Sequence, residues 1–270
     1  MTKTKSPYAT TFIMGLEHSL EYRFDFFVNI LSTLFPIIIQ VCLWLAIYGG
    51  SGEESMFGYD FAQMMAYVVT AGMVSKFVAA GIEYIINGDI HSGMLASFLI
   101  KPVRYVPLRF LQVLGQKFTS TLTLILCTAA TVIVLHFAVG FEVVAHAVLL
   151  FLPVLLLGML LNFFIFFLLS TLAFWLTEVG HFFHTIQVVI MVLSGGVFPI
   201  SVMGETYVAI VRYLPFSYTM YFPITLLTGA TPLGEALWGL LLQVIWIGLL
   251  WAASLALWRA GLKRYVAVGG

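Results

Sequence analysis

The stretch Asn87–Pro107, NGDIHSGMLASFLIKPVRYVP, decides how this chain is read. It lies between two long hydrophobic runs, is too short to be one itself, and carries basic residues. Read as a helix, Ile90, Met94, Leu95, Phe98 and Leu99 form one apolar stripe, with His91, Ser92 and Ser97 off it. Asp89 takes the place of an N-cap and Lys101-Pro102 that of a stop. A helix of about three turns cannot cross a bilayer, which needs roughly 20 residues. It lies along the membrane surface as a connector, or it docks into a partner. The stripe alone allows both.

The rest of the chain sets the context. Of 270 residues, 61% are hydrophobic and only 9% charged, with a mean hydropathy of +1.05. So little polar surface excludes a water-soluble globular protein and gives an all-α membrane protein in one domain, 1–270. The net charge is zero, so nothing electrostatic favours nucleic acid as a partner. Cys42 and Cys127 both fall in apolar runs and make no disulfide framework.

Within residues 8–25, Phe12, Leu16, Leu20 and Phe24 recur every four residues, with Glu17, Glu21 and Asp25 on an adjacent face. This reads as an interfacial amphipathic helix whose carboxylates are a solvated face or a contact for a basic partner. It holds no small-residue cleavage site of signal-peptide type. Six spans follow. They run over Phe26–Tyr48 with a kink at Pro36, Phe61–Ile82, Phe118–Val139, from Val143 to a break near Ser170–Thr177, His181–Val202 and Ala236–Trp258. Lys76, in the last turns of the second, snorkels toward the headgroups. Eleven of the twelve Lys and Arg residues, from Lys3 to Arg264, fall on one side, and only Arg212 on the other. The positive-inside rule then puts both termini and the 87–107 region in the cytosol, and the acidic loop Gly49–Asp60 outside. The segment 195–235 holds four prolines yet is mostly apolar. It reads as short re-entrant helices at an extracellular mouth, since irregular backbone at membrane depth must be buried by protein or line a cavity.

Catalytic chemistry is sparse. The chain has no phosphate-binding loop and no nucleophile elbow, and Leu193-Ser-Gly-Gly sits in an apolar run where small residues serve helix packing. Glu178, His181 and His184 are spaced three apart on one helix face, which suits a metal or an interfacial polar patch; no third His or Cys stands near. Asn29, Gln40, Asn162, Gln187 and Gln243 are the intramembrane polar residues, and no carboxylate is read at mid-depth. Ion-coupled carriers usually have one, so the energy source is expected outside the chain.

The chain resembles the six-span permease subunits of ABC exporters of the ABC-2 class over nearly its whole length. The likeness is carried by Gly93–Val103 (GMLASFLIKPV), Ser194–Ile200 (SGGVFPI), Leu214–Pro223 (LPFSYTMYFP) through Gly229, and the ending Trp258–Tyr265 (WRAGLKRY). It implies that the helix after the second span is a coupling helix, docking into a separate ATP-binding subunit through Asp89, His91, Leu95, Phe98, Lys101, Pro102 and Arg104. It also implies a gate region at Phe198, Pro199, Pro215, Phe216 and Pro223. ATP and Mg would be bound by the partner ATPase and no cofactor by this chain. A second permease, the same or a different chain, completes the transporter, with membrane lipids around it. The implied function is export of an amphipathic or hydrophobic cargo across the cell membrane. An ion-coupled secondary transporter or a membrane-embedded metal-dependent enzyme are the alternatives, and no internal repeat is seen for the former.

Overall fold

The structure is a computed structural model, and it describes residues 6–21, 23–51, 55–139, 145–176 and 179–265. Glu178, Glu53, Glu54, Lys3, Lys5 and the expected start of the fourth span at Val143 lie outside the described residues, as do the side chains of Leu20, Glu21, Phe24, Asp25, Asn29 and Cys127. The described chain is mostly helical, with turns between the helices and one small hairpin, Ser55–Met56 against Tyr59–Asp60.

Helix α1 (Pro7–Glu21) is followed directly by α2 (Arg23–Ser51), which carries Pro36 in its interior. After the hairpin come α3 (Phe61–Val78) and α4 (Ile82–His91), then the six-residue α5 (Met94–Leu99) and α6 (Tyr105–Gln116). Two long apolar helices follow, α7 (Phe118–Val139) and α8 (Ala145–Ser170), the second extended by a 3-10 turn at Thr171–Phe174. The chain continues with α9 (Gly180–Leu193), a 3-10 turn at Ile200–Met203, and the short α10 (Glu205–Val211) and α11 (Tyr221–Leu227). Helix α12 (Leu233–Leu262) closes the fold.

Helix α8 is the axis. It packs against α3, α4, α11 and α12, and every residue from Leu161 to Phe167 is buried. Apart from Asn162 the run is apolar on all faces, because every face meets protein. Among the described residues, three stretches are long and apolar enough to cross a bilayer: Phe61–His91, Ala147–Phe174 and Leu233–Leu262.

Helix α3 starts where Asp60 forms a capping box with Gln63. It ends by breaking at Ala79–Gly81, just before the Ile82 at which the sequence reading ends the second span. Gly81 adopts φ 63°, a left-handed backbone that favours glycine, and α4 then continues to His91. Carbonyls freed by the break find donors on other elements. Lys117 Nζ donates to Lys76 O at 2.7 Å, and Asn162 Nδ2 of α8 donates to Val78 O at 2.9 Å. The fifth expected span is likewise corrected. Helix α9 stops at Leu193, because Gly195 turns the chain at φ 74° and Tyr67 Oη donates to its carbonyl at 2.6 Å.

Helix α1 has a protein partner in α6. The two cross at Gly15 and Gly115 so closely that a Cβ on Gly115 would lie 2.3 Å from Phe12 O, and one on Gly15 2.5 Å from Gln112 O. Small residues at a crossing let two backbones approach in this way. The Arg104 N–H donates to Tyr8 Oη at 3.0 Å, fastening the start of α1 to the loop before α6. Replacement Gly115→Val should force α1 away from α6. We expect about 1–3 kcal/mol of lost stability, as for overpacking elsewhere. Faster proteolysis within Pro7–Glu21 checks it.

Candidate functional site

The segment after α4 forms an elbow. The apolar stripe expected on one helix is divided between two, α4 and α5, by a turn at Ser92–Gly93, where Gly93 has φ 76°. Asp89 is therefore not an N-cap. Helix α4 begins upstream at Ile82, so Asp89 falls in its last turn, with a side chain only 6% exposed. A carboxylate so buried must be paired. Arg109 of α6 supplies the charge. Its Nε donates to Asp89 Oδ2 at 3.0 Å, while a second guanidinium N–H and the Tyr105 hydroxyl donate to the same oxygen. Burial, and then the hydrogen bond to Asp89, push the Tyr105 phenol well above its ordinary range, so it remains a donor.

Aromatic rings enclose this pair. The Arg109 guanidinium lies 4.7 Å from the Phe98 ring centroid and 5.5 Å from that of Tyr105. Tyr105 stacks on Trp258 of α12 at 5.0 Å and 11°. Trp258 in turn contacts Phe167 of α8 at 5.4 Å and Phe174 at 5.2 Å. One continuous cluster thus ties α4, α5, α6, α8 and α12.

This cluster sorts the elbow's side chains. Leu95 is fully buried, and Phe98 is half-buried against the core. His91, Lys101, Pro102 and Arg104 are exposed, and so are Met94, Leu99 and, at 85%, Ile100. Helix α5 does end at Leu99, before Lys101-Pro102. Between the elbow and α1 lies a cavity of about 570 Å³ lined by Met14, Phe98, Lys101, Arg109 and Gln112.

At the other end of α3 the turns and short helices of 195–235 are cross-braced. Tyr221 N–H donates to Ser194 O at 2.8 Å, Tyr218 Oη to Arg212 O at 2.8 Å, and Gln243 Nε2 of α12 to Tyr218 O at 2.9 Å and Val154 O at 3.1 Å. Pro199, Pro215 and Pro223 are buried, and Phe198 and Phe216 are half-buried and packed on the core. None of these five lines the two cavities at this end, of about 550 and 260 Å³, which share Val208 and Arg212.

Residues 34–269 match the family described as ABC-2 family transporter protein. The chain belongs to that family. It is the multi-pass membrane component, the permease, of an ABC transporter, a kind of chain that typically works with an ATP-binding subunit. No curated protein matches it.

In the permease, His181 and His184 are both exposed on α9, and Glu178 lies outside the described residues. Sequence reasoning missed Glu83, because it ended the second span at Ile82. The structure buries that carboxyl in the first turn of α4, leaving Oε2 without a hydrogen-bond partner. It also missed that Arg109 and Trp258 belong to the elbow, since no local pattern links positions so far apart. Breaking the buried pair by Arg109→Met alone should cost about 3–5 kcal/mol, whereas Asp89→Leu with Arg109→Met should recover most of it. Thermal unfolding of the two purified variants in detergent checks this.

Proposed function

We propose that the permease is the transmembrane half of an exporter that moves an amphipathic or hydrophobic cargo out of the cell. A separate ATP-binding subunit, carrying ATP and Mg, supplies the energy. In this reading α2, α7 and α9, the last completed by the turns that follow it up to Ile200–Met203, add three spans to the three most apolar ones, and both termini face the cytosol. Two permeases, alike or different, enclose the cargo route within the lipid.

The observation that carries the reading is the elbow's division into an exposed tip and a locked base. Ile100, 85% exposed beside Met94, Leu99 and Lys101, is apolar surface with no partner within the chain's own core. A groove on another protein would bury it. Behind it, Asp89, Arg109, Tyr105 and Trp258 connect the tip to α4, α6 and α12, so a push on the tip moves those helices together. Asp89 and Leu95 then act as the base, while His91, Lys101, Pro102 and Arg104 belong to the docking face and Phe98 lies between. Phe198, Pro199, Pro215, Phe216 and Pro223 serve the gate by packing behind its surface.

The test uses the tip and not the base. Ile100→Asp should leave thermal stability unchanged, yet reduce co-purification of the ATP-binding subunit and ATP-driven transport at least about tenfold, the loss of roughly 1.4 kcal/mol or more. An Ile100→Asp permease that keeps its ATPase and still transports contradicts the reading. Leu95 is unsuited to this test, since its substitution damages the core.

Glu83 favours a second reading, an ion-coupled carrier, because a buried carboxyl with a free oxygen is what such proteins use. Glu83→Gln separates the two. The exporter reading predicts ATP-driven transport within about twofold of wild type, and the carrier reading predicts none.

A further inference from the structure

We infer that the two cavities around Arg212 form one binding site for a zwitterionic phospholipid, with Arg212 taking the phosphate and Glu235 the ammonium. The smaller cavity, about 260 Å³, is lined by Arg212, Tyr218, Tyr221, Glu235 and Trp238. The larger, about 550 Å³, adds Phe57, Glu205, Ala209 and Tyr213. Arg212 and Val208 line both, so these two residues stand at the junction.

Position and charge define the ligand. Arg212 is exposed at the C-terminal end of α10, and its backbone is fixed by the Tyr218 hydroxyl bonded to its carbonyl. Among the described residues neither Glu205 nor Glu235 forms an ion pair with it. The guanidinium lies 5.8 Å from the Tyr213 ring centroid, a contact that leaves its N–H groups able to bond a phosphate bidentately. Glu235, Trp238, Tyr218 and Tyr221 also line the smaller cavity, and a carboxylate together with aromatic rings attracts a cationic group by charge and by ring quadrupole. The two cavities together hold two carboxylates and one guanidinium. A purely anionic headgroup would face more repulsion than attraction there. A headgroup that carries a phosphate and an amine pairs with Arg212 and Glu235 at once. The apolar walls at Phe57, Val208 and Ala209 of the larger cavity, and Trp238, 58% exposed at the smaller one, suit the acyl chains of an amphiphile more than a water-soluble molecule.

Binding by the permease needs no ATPase, so failure here leaves the exporter reading standing, and failure of that reading leaves this one testable. Native mass spectrometry of the purified full-length permease would be carried out with a short-chain phosphatidylethanolamine, the matching phosphatidylglycerol, and soluble phosphoethanolamine as competitor. Arg212 and Glu235 are exposed, so Arg212→Gln and Glu235→Gln should melt with wild type. Wild type should retain phosphatidylethanolamine at least tenfold better than phosphatidylglycerol. Arg212→Gln should lower that retention about tenfold, and Glu235→Gln should erase the preference between the two lipids. Equal retention of both lipids by wild type, or variants that bind as wild type does, would overturn the proposal. Displacement by phosphoethanolamine at concentrations matching the lipid would also overturn it, assigning the site to a soluble zwitterion.

Discussion

A carboxylate almost shut off from water governs the elbow of this permease. Asp89 sits in the last turn of α4, nearly sealed, and an unpaired charge there would cost several kcal/mol. Arg109 and Tyr105 must therefore stay against it, which fixes α6 relative to α4. Tyr105 stacked on Trp258 extends the constraint to α12, and Trp258 on Phe167 extends it to α8. The exposed tip from Met94 to Pro102 stands on this base. Its apolar side chains face outward because the inward positions are already filled by Leu95 and Phe98.

The same rule, that polar groups among apolar neighbours must be paired, shapes the rest of the bundle. The bend between α3 and α4 exists without proline. It is held by a cation from the α6–α7 junction and an amide from α8, each on a carbonyl that the bend leaves free. At the opposite end, Tyr67 and Gln243 hold the turns at Gly195 and Tyr218. Isolated polar residues in long apolar helices, Asn162 and Gln243 among them, are thus fasteners between helices.

Composition and the run of apolar residues were enough to read an all-α membrane protein, and the motifs around Gly93, Ser194 and Leu214 pointed to the family that residues 34–269 match. The stop before Lys101-Pro102 and the short helices of 195–235 were legible from proline and local pattern. The interior of the elbow was not. Periodicity alone joined Ile90 to Leu99 in one helix, because the stripe continues across Gly93 while the backbone turns there. The role of Asp89 depends on Arg109, twenty residues away, and that of Trp258 on a contact between distant helices. The prolines that interrupt the segment suggest a mouth there, whereas the folded chain buries Pro199, Pro215 and Pro223 and lines its cavities with Arg212, Glu235 and Trp238 instead.

The central claim is that the elbow and α12 move as one body. Spin labels at Ser92→Cys and Lys263→Cys, both exposed positions, in a permease whose native Cys42 and Cys127 are replaced by Ala, report that separation by pulsed electron resonance in the full complex with its ATP-binding subunit. The account predicts a narrow distance distribution that is the same with and without trapped ATP, and a broadened one when Asp89→Asn is added. A wild-type distance that shifts on ATP trapping by about a helical turn, roughly 5 Å, would contradict it and make the elbow a hinged connector.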